Sequence, residues 1–314
     1  MENEAFSSQS LAGAITKSAS RQTYYTIRLL VDRERIDDAY RAYSYFRWVD
    51  DVIDANEGPA LEKLTFILHQ QSILEACYRG ETPGDLCPEE RLLVELIHRD
   101  MEPNSGLQGY LRNMMGIMKF DAQRRGRLIT QVELTEYSYM LAIAVTEAMY
   151  YFIGHNDPVP CHPARYLAVT AAHITHMLRD AYEDAQTGYF NIPLEYLQKH
   201  GITPDDLENP SYQEWVRYRV QLAHHYFNEG KECLGQIKNP RCRLAGFAYI
   251  ARFEWMLRVI EADGYCLRPE YPERKSLWAG LWMGWSTLTS LFVLAPINMG
   301  TRHPAVQPVK VKEQ

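Results

Sequence analysis

The stretch HITHMLRDAYEDAQTGYFNIP, residues 173–193, spaces His173, His176, Asp180 and Asp184 by three, four and four. That is the repeat of an α-helix, on which such residues share one side. Carboxylates one turn apart inside an apolar run are costly unless they are paired or bound to a cation. A second stretch, YSYFRWVDDVID (residues 43–54), repeats the pattern: Tyr43, Arg47, Asp50 and Asp54 follow at steps of four, three and four, with Asp51 beside them. Two such faces set against each other in a bundle make an oxygen-ligand cage for several Mg²⁺ ions, which in turn hold a diphosphate. Metals there neutralise a leaving group and let a carbon–oxygen bond ionise. Either pair alone reads as a solvated, salt-bridged face, and Arg179 with Glu183 is assigned to one.

Outward from these motifs the chain keeps the same helical period, as in ERIDDAYRAYSYFRWVDDVIDA and PARYLAVTAAHITHMLRDAYEDA. Clusters of Pro, Gly and Asn break it at residues 55–60, 79–90, 101–106, 154–163, 200–211 and 238–241. Asn-Pro at 209 and 239 and the proline at 163 mark helix starts. No alternating β-branched run with a hairpin signal occurs. The reading is an all-α single domain without internal repeats.

Composition narrows the function classes. The 314 residues are 46% hydrophobic and 23% charged, enough for a sizeable core. A net charge of −7 excludes general nucleic-acid binding, because no basic face offsets phosphate repulsion. The six cysteines are scattered without a CxxC pair, and the acidic start MENEAFSSQS is no signal peptide, so a cytoplasmic location is expected. The 21 tyrosines and 6 tryptophans are mostly core and surface scatter. A pocket walled by aromatic faces, able to hold a greasy chain and steady a cation, is the sharper reading.

Residues 276–301, SLWAGLWMGWSTLTSLFVLAPINMGT, carry no charge, and Arg274 and Lys275 precede them. That run exceeds the ~20 residues a bilayer crossing needs, with its tryptophans bunched at one end. Its glycines, serines and threonines suit a last core helix instead, and a helix lying in one leaflet is intermediate. The division is therefore 1–275 as the main domain, 276–301 as an uncharged segment with membrane association as one reading, and 302–314 as a polar tail.

Together the motifs resemble the squalene/phytoene synthase family, the head-to-head branch of the all-α isoprenoid synthases. YSYFRWVDDVID is similar to the family's aromatic–Arg–DxxxD helix, and LRDAYEDAQTGYFNIP to its LRDxxED…G…P segment. MMGIMKFDA with Asp121, LTEYSYMLAIAV with Tyr137 and Tyr139, AHHYFNEG and ARFEWMLRVIEADGY fit its further helices, so the resemblance covers roughly residues 15–275. It implies a single-domain helical bundle with a central prenyl-binding cavity. The implied reaction joins two prenyl diphosphates head-to-head, through a cyclopropyl intermediate, into a squalene- or phytoene-type product, with Mg²⁺ as cofactor. Asp50, Asp54, Asp180 and Asp184 would be the metal ligands. Arg47 would grip diphosphate oxygens, as a guanidinium is shaped to do. Tyr43, Tyr137 and Tyr139 would line the path of the cation. Ser20 and Arg21 in SASRQTYY would close over a diphosphate, with His173 and Arg179 also on the substrate side.

Three departures from the family pattern stand out. His173 and His176 replace the usual Gln-x-x-Asn, and imidazole suits transition metals better than Mg²⁺. His176 is assigned as a replacement for an amide metal ligand, a donor to the diphosphate, or a base that deprotonates a carbocation. Gly188-Tyr189 with Asn191 replaces the usual Gly-Arg, and Ile143 and Thr146 replace small residues of the pocket wall. Two alternatives follow: a prenyltransferase with another acceptor, such as an aromatic molecule, or a non-catalytic scaffold member. His224 and His225, adjacent in sequence, are assigned to packing or surface. No GxGxxG signature is present; reductive family members lack one too, so NADPH is not indicated either way.

Overall fold

The computed structural model describes residues 2–55, 60–157 and 162–292. Residues 293–314, which include the second part of the uncharged segment and the polar tail, lie outside them, as does Cys161. Among the described residues there are thirteen α-helices, three short 3₁₀ turns and no strand; one isolated bridge joins Ile129 to Pro193. The helices are α1 (Glu2–Ala19), α2 (Arg21–Leu30), α3 (Ile36–Ala55), α4 (Ala60–Tyr78), α5 (Pro88–His98), α6 (Gly106–Arg124) and α7 (Gln131–Phe152). They continue as α8 (Leu167–Arg179), α9 (Ala181–Thr187), α10 (Leu194–His200), α11 (Pro210–Gly235), α12 (Pro240–Ala262) and α13 (Leu277–Leu291). The all-α expectation holds.

Local sequence explains where these helices begin. Asn209 and Asn239 cap α11 and α12, each side chain accepting from backbone N–H groups two or three residues on, and Pro follows at the first helical position. Thr130 and Glu133 form a reciprocal capping box at the head of α7. Pro163 opens a 3₁₀ turn (Pro163–Tyr166) that runs into α8.

A main apolar core runs through the bundle, with α8 against α11, α3 against α1 and α5, and α4 against α6, and a small separate cluster of Ile117, Tyr137 and Ala144 lies where α6 meets α7. Burying a residue such as Phe227 or Leu111 contributes roughly 1.5–3 kcal/mol. Several polar groups in that core are paired. Arg41, 2% exposed, reaches Asp38 and Glu95, and Tyr45 donates to Gln70, which donates to Glu90. Helix α8 lies unusually close to α11. A β-carbon at Gly230 would stand 2.7 Å from that of Ala168, so only glycine permits the approach. This contact holds the helix carrying His173 and His176 in place.

The bilayer-crossing reading of residues 276–301 is corrected for the described part. Helix α13 has 15 residues, about 22 Å at 1.5 Å per residue, against the ~30 Å hydrocarbon core it would have to span. No described helix is long and apolar enough to cross a membrane. Instead α13 packs along α12, where Ala279 is fully buried and the rings of Trp282 and Trp255 lie 5.6 Å apart.

Candidate active site

The last turns of α3 present the first motif. Arg47, exposed itself, is bonded to Asp51 one turn on and lies 3.4 Å from Asp50. Asp54 is exposed at the helix end. Burial, the charge of Asp54 and that of Asp121 raise the Asp50 carboxyl above its ordinary range, and Arg47 only partly offsets them. Tyr43 is half-buried against the core two turns earlier on the same side.

Helix α6 supplies the link between the motifs. Asp121 accepts from Arg124 at 2.7 Å and from the Tyr137 hydroxyl of α7 at 3.1 Å. Burial nevertheless pushes its carboxyl up, with the charge of Asp54 adding to the effect. The buried Arg124 extends across to donate to Asn191 at 2.8 Å, and Asn191 donates to Asp184 at 2.7 Å. Its guanidinium also lies over the rings of Tyr137 and Tyr189, 4.8 and 4.9 Å from their centres. Asp121 was visible in sequence only through the resemblance. Arg124 and Asn191 were not singled out as site residues, although Asp-x-x-Arg at helical spacing was a readable signal.

The second motif is not one uninterrupted helix. Asp180 sits between α8 and α9 with φ −98° and ψ 9°, outside the helical region, while hydrogen bonds to His176 and from Asp184 carry the turn past it. Asp180 is bonded by Arg179 at 2.6 Å and lies 2.8 Å from His176 Nε2. Burial works against its charge, but these two partners hold its carboxyl well below the ordinary range. Asp184 behaves in the opposite way: burial and the charge of Asp180 raise it to about 6. The expected Arg179–Glu183 pair is replaced by Arg179–Asp180, because Arg179 is largely buried against the aspartate next to it.

The structure separates the two histidines. His176 is half exposed beside Asp180, whereas His173 is buried with Nδ1 3.2 Å from the Ser138 hydroxyl and its ring 4.9 Å from that of Tyr137. Burial, with the charges of His176 and Arg219, lowers His173 to about 3 and keeps it neutral. Arg219 on α11 is itself 8% exposed and makes no hydrogen bond or ion pair among the described residues; only the Trp215 ring, 5.3 Å away, receives it. The hydroxyl of Thr146 on α7 is likewise buried without a partner. Both lie on helices that enclose His173.

Tyr139 is not part of this cluster. It is 54% exposed and packs edge-on to Tyr166, because a residue two positions from Tyr137 points away from Tyr137's side of the helix. Ser20 caps α2 by accepting from the Thr23 N–H and hydroxyl, and Arg21 is exposed; neither bonds to a motif aspartate. Among the described residues no three His, Cys, Asp or Glu side chains enclose a metal position unaided. A polar cleft of about 410 Å³, lined by Asp32, Arg33, Asp157 and Arg241, lies at the far end of α3 from Asp50 and Asp54.

Asp121 thus stands within electrostatic range of Asp50 and Asp54, and its partner Arg124 reaches Asp184 through Asn191, with the rings of Tyr137 and Tyr189 against Arg124 and the neutral His173 beside Tyr137. Such an arrangement can hold an anion through cations at its rim while keeping water from an apolar interior. The squalene/phytoene synthase family model matches residues 16–277. Over 259 residues the chain is 24% identical to a 15-cis-phytoene synthase of Synechocystis sp., covering 78% of this chain and 74% of that one. Over 210 residues it is 28% identical to a presqualene diphosphate synthase of Zymomonas mobilis, covering 66% and 68%. The squalene synthase HpnC from Alicyclobacillus acidocaldarius has a similar fold, with a TM-score of 0.66 at 21% identity, over 83% of this chain and 96% of that one.

Proposed function

We propose head-to-head condensation of two prenyl diphosphates from one premise: the chain belongs to the squalene/phytoene synthase family. The observation that carries the reading is the pair of aspartate faces, Asp50 with Asp54 and Asp180 with Asp184, joined through Asp121, Arg124 and Asn191.

The donor set fits Mg²⁺. Asp50, Asp121 and Asp184 are carboxylates whose negative charge burial and their neighbours disfavour, which a hard divalent cation relieves. Because neither pair encloses a metal alone, diphosphate oxygens and water would complete each coordination shell. Asp50, Asp54, Asp180 and Asp184 would hold the ions, which when bound supply charge neutralisation for the leaving diphosphate. Arg47 and Arg179 sit beside those carboxylates, where they can turn from aspartate to phosphate oxygens. Tyr137 stays protonated, since burial and Asp121 raise its phenol, and so presents a neutral aromatic face to a developing carbocation. The buried, neutral His173 adds no competing charge to that wall.

The test is incubation of the purified protein with Mg²⁺ and farnesyl or geranylgeranyl diphosphate, with and without NADPH, followed by mass spectrometry of the organic extract. A coupled hydrocarbon or cyclopropyl diphosphate supports the reading. Release of diphosphate with no coupled product sinks it.

A second reading keeps ionisation but transfers the prenyl group to a different acceptor. The guanidinium of Arg219, buried near His173 with no hydrogen bond or ion pair among the described residues, favours it, since a charged group there is a poor wall for a pure hydrocarbon. Prenylation of an added aromatic acid in the same assay, in place of coupling, identifies this case.

A further inference from the structure

Helix α13 has two unlike sides. The inner side packs on α12 and is fastened at its end by Arg243, which donates to the Leu291 carbonyl at 2.6 Å. The outer side is apolar and open. Trp278, Leu281, Trp285, Leu288 and Phe292 recur at steps of three and four, and each is more than half exposed, with Trp278 at 76% and Phe292 at 81%. Gly280 and Gly284 lie between them and shield nothing. A continuous stripe of this kind is kept from water in most soluble proteins.

Cations edge the stripe. The Arg258 guanidinium lies 4.7 Å from the Trp282 ring centre, Arg274 and Lys275 immediately precede the helix, and Arg252 stands within electrostatic range of Arg274 and Arg179. Among the described residues none of Arg252, Arg258, Arg274 and Lys275 has an acidic partner. Most acids nearby are taken, Glu254 by Lys231, Glu261 by His224, and Asp263 and Glu273 by Arg268, which leaves Glu270 against four cations. In a chain of net charge −7, this is a local surplus of positive charge around an uncharged helix.

We propose that this face of α13 lies flat in one leaflet of an anionic phospholipid bilayer, with Arg258, Arg274 and Lys275 against the headgroup phosphates. The helix is too short to span but long enough to lie in the interface, and tryptophan is suited to that depth. Apolar burial and attraction to anionic lipid act together in such helices. A second copy is a poorer occupant, because stripe against stripe would bring the two cationic edges together. The cationic edge continues through Arg252 to Arg179, the partner of Asp180, so docking would turn the candidate site toward the lipid. Only that last consequence, delivery of prenyl chains from the bilayer, rests on the proposed reaction.

The full chain is tested by flotation with phosphatidylcholine vesicles and with vesicles that also contain phosphatidylglycerol. Expected are co-flotation with the anionic vesicles, weaker binding to the neutral ones, loss with added salt, and a blue shift of tryptophan emission. The double variant W278S/W285S should partition at least about tenfold less, with unchanged circular dichroism and melting temperature. R274Q/K275Q should lose the preference for anionic lipid. No flotation by the full chain overturns the proposal, as does undiminished flotation of W278S/W285S. A lipid-free dimer that the same substitutions dissociate, without vesicle binding, assigns the stripe to a second copy and also overturns it. Turnover assayed separately in detergent keeps failure of the reaction distinct from failure of docking.

Discussion

Arg124 donates to Asn191 at 2.8 Å, and with that bond the helix carrying Asp121 grips the segment that positions Asp184, beside Arg125 on the Thr187 carbonyl and the Gly126 N–H on the Gly188 carbonyl. Among the described residues the two aspartate motifs have no side-chain bond to each other; Arg124, from outside both, bonds Asn191 in the second, and its ion partner Asp121 stands within electrostatic range of Asp50 and Asp54 in the first. Arg124 is 7% exposed in its side chain and carries Asp121 as its ion partner, so it is both the link and the counter-charge.

Replacing Arg124 by Gln therefore leaves the mostly buried Asp121 without its cation. The expected cost is about 3 kcal/mol of stability, in the range for breaking one side of a buried pair. Lysine should rescue poorly, because a single ammonium cannot reach Asp121 and Asn191 together. Chemical denaturation of R124Q and R124K checks both statements; a wild-type midpoint in either would contradict the bridge.

Asp184→Asn should stabilise the metal-free protein. A carboxyl raised to about 6 in the fold and near 3.8 when unfolded binds its proton more tightly in the folded state. Stability then falls as pH rises through that window, and the full cost is present above pH 6. The amide removes this cost, a gain on the order of 1 kcal/mol at neutral pH after allowance for partial exposure. Thermal melts in chelator at neutral pH and below the window should show the gain in the first case only. With Mg²⁺ and diphosphate added, wild type should gain more than the variant.

His173 works in the other direction. Its folded value of about 3 lies below the unfolded value, so stability is complete above pH 6.5 and declines as pH falls toward 3. The slope approaches about 1.4 kcal/mol per pH unit inside that window. His173→Gln keeps a partner for Ser138 without a titrating ring. Its unfolding free energy should lose that part of the acid slope, measured by urea titration at several pH values.

His176 touches the carboxylate that the proposed reaction needs, so His176→Asn should alter turnover or product while the melting temperature stays within a few degrees. Product analysis beside wild type is the check. Identical rates and identical products would leave this histidine as surface decoration.

Much of the bundle could be read from short-range chemistry. Asn-Pro at 209 and 239 and the Thr130–Glu133 pair announce helix starts because the groups that satisfy the first N–H donors lie within three residues. The aspartate pairs were legible for the same reason, being one turn apart. What escaped depends on distant partners. Nothing local tells that Arg124 meets Asn191, 67 residues on. The unequal fates of His173 and His176 follow from α7 covering one and not the other. Tyr139 was a different kind of miss, since its two-residue offset from Tyr137 already pointed it elsewhere.

The tight meeting of Gly230 with Ala168 has a consequence at the opposite end of α8. That helix is thirteen residues of stiff rod, pinned near its start by a hydrogen where any other residue has a carbon. A methyl group at 230 would act as a shim at the pivot, and the rod would carry the tilt to Asp180, moving it relative to Asp50. The gauge that sets how wide an anion the two aspartate faces can span is thus kept by a residue that touches neither.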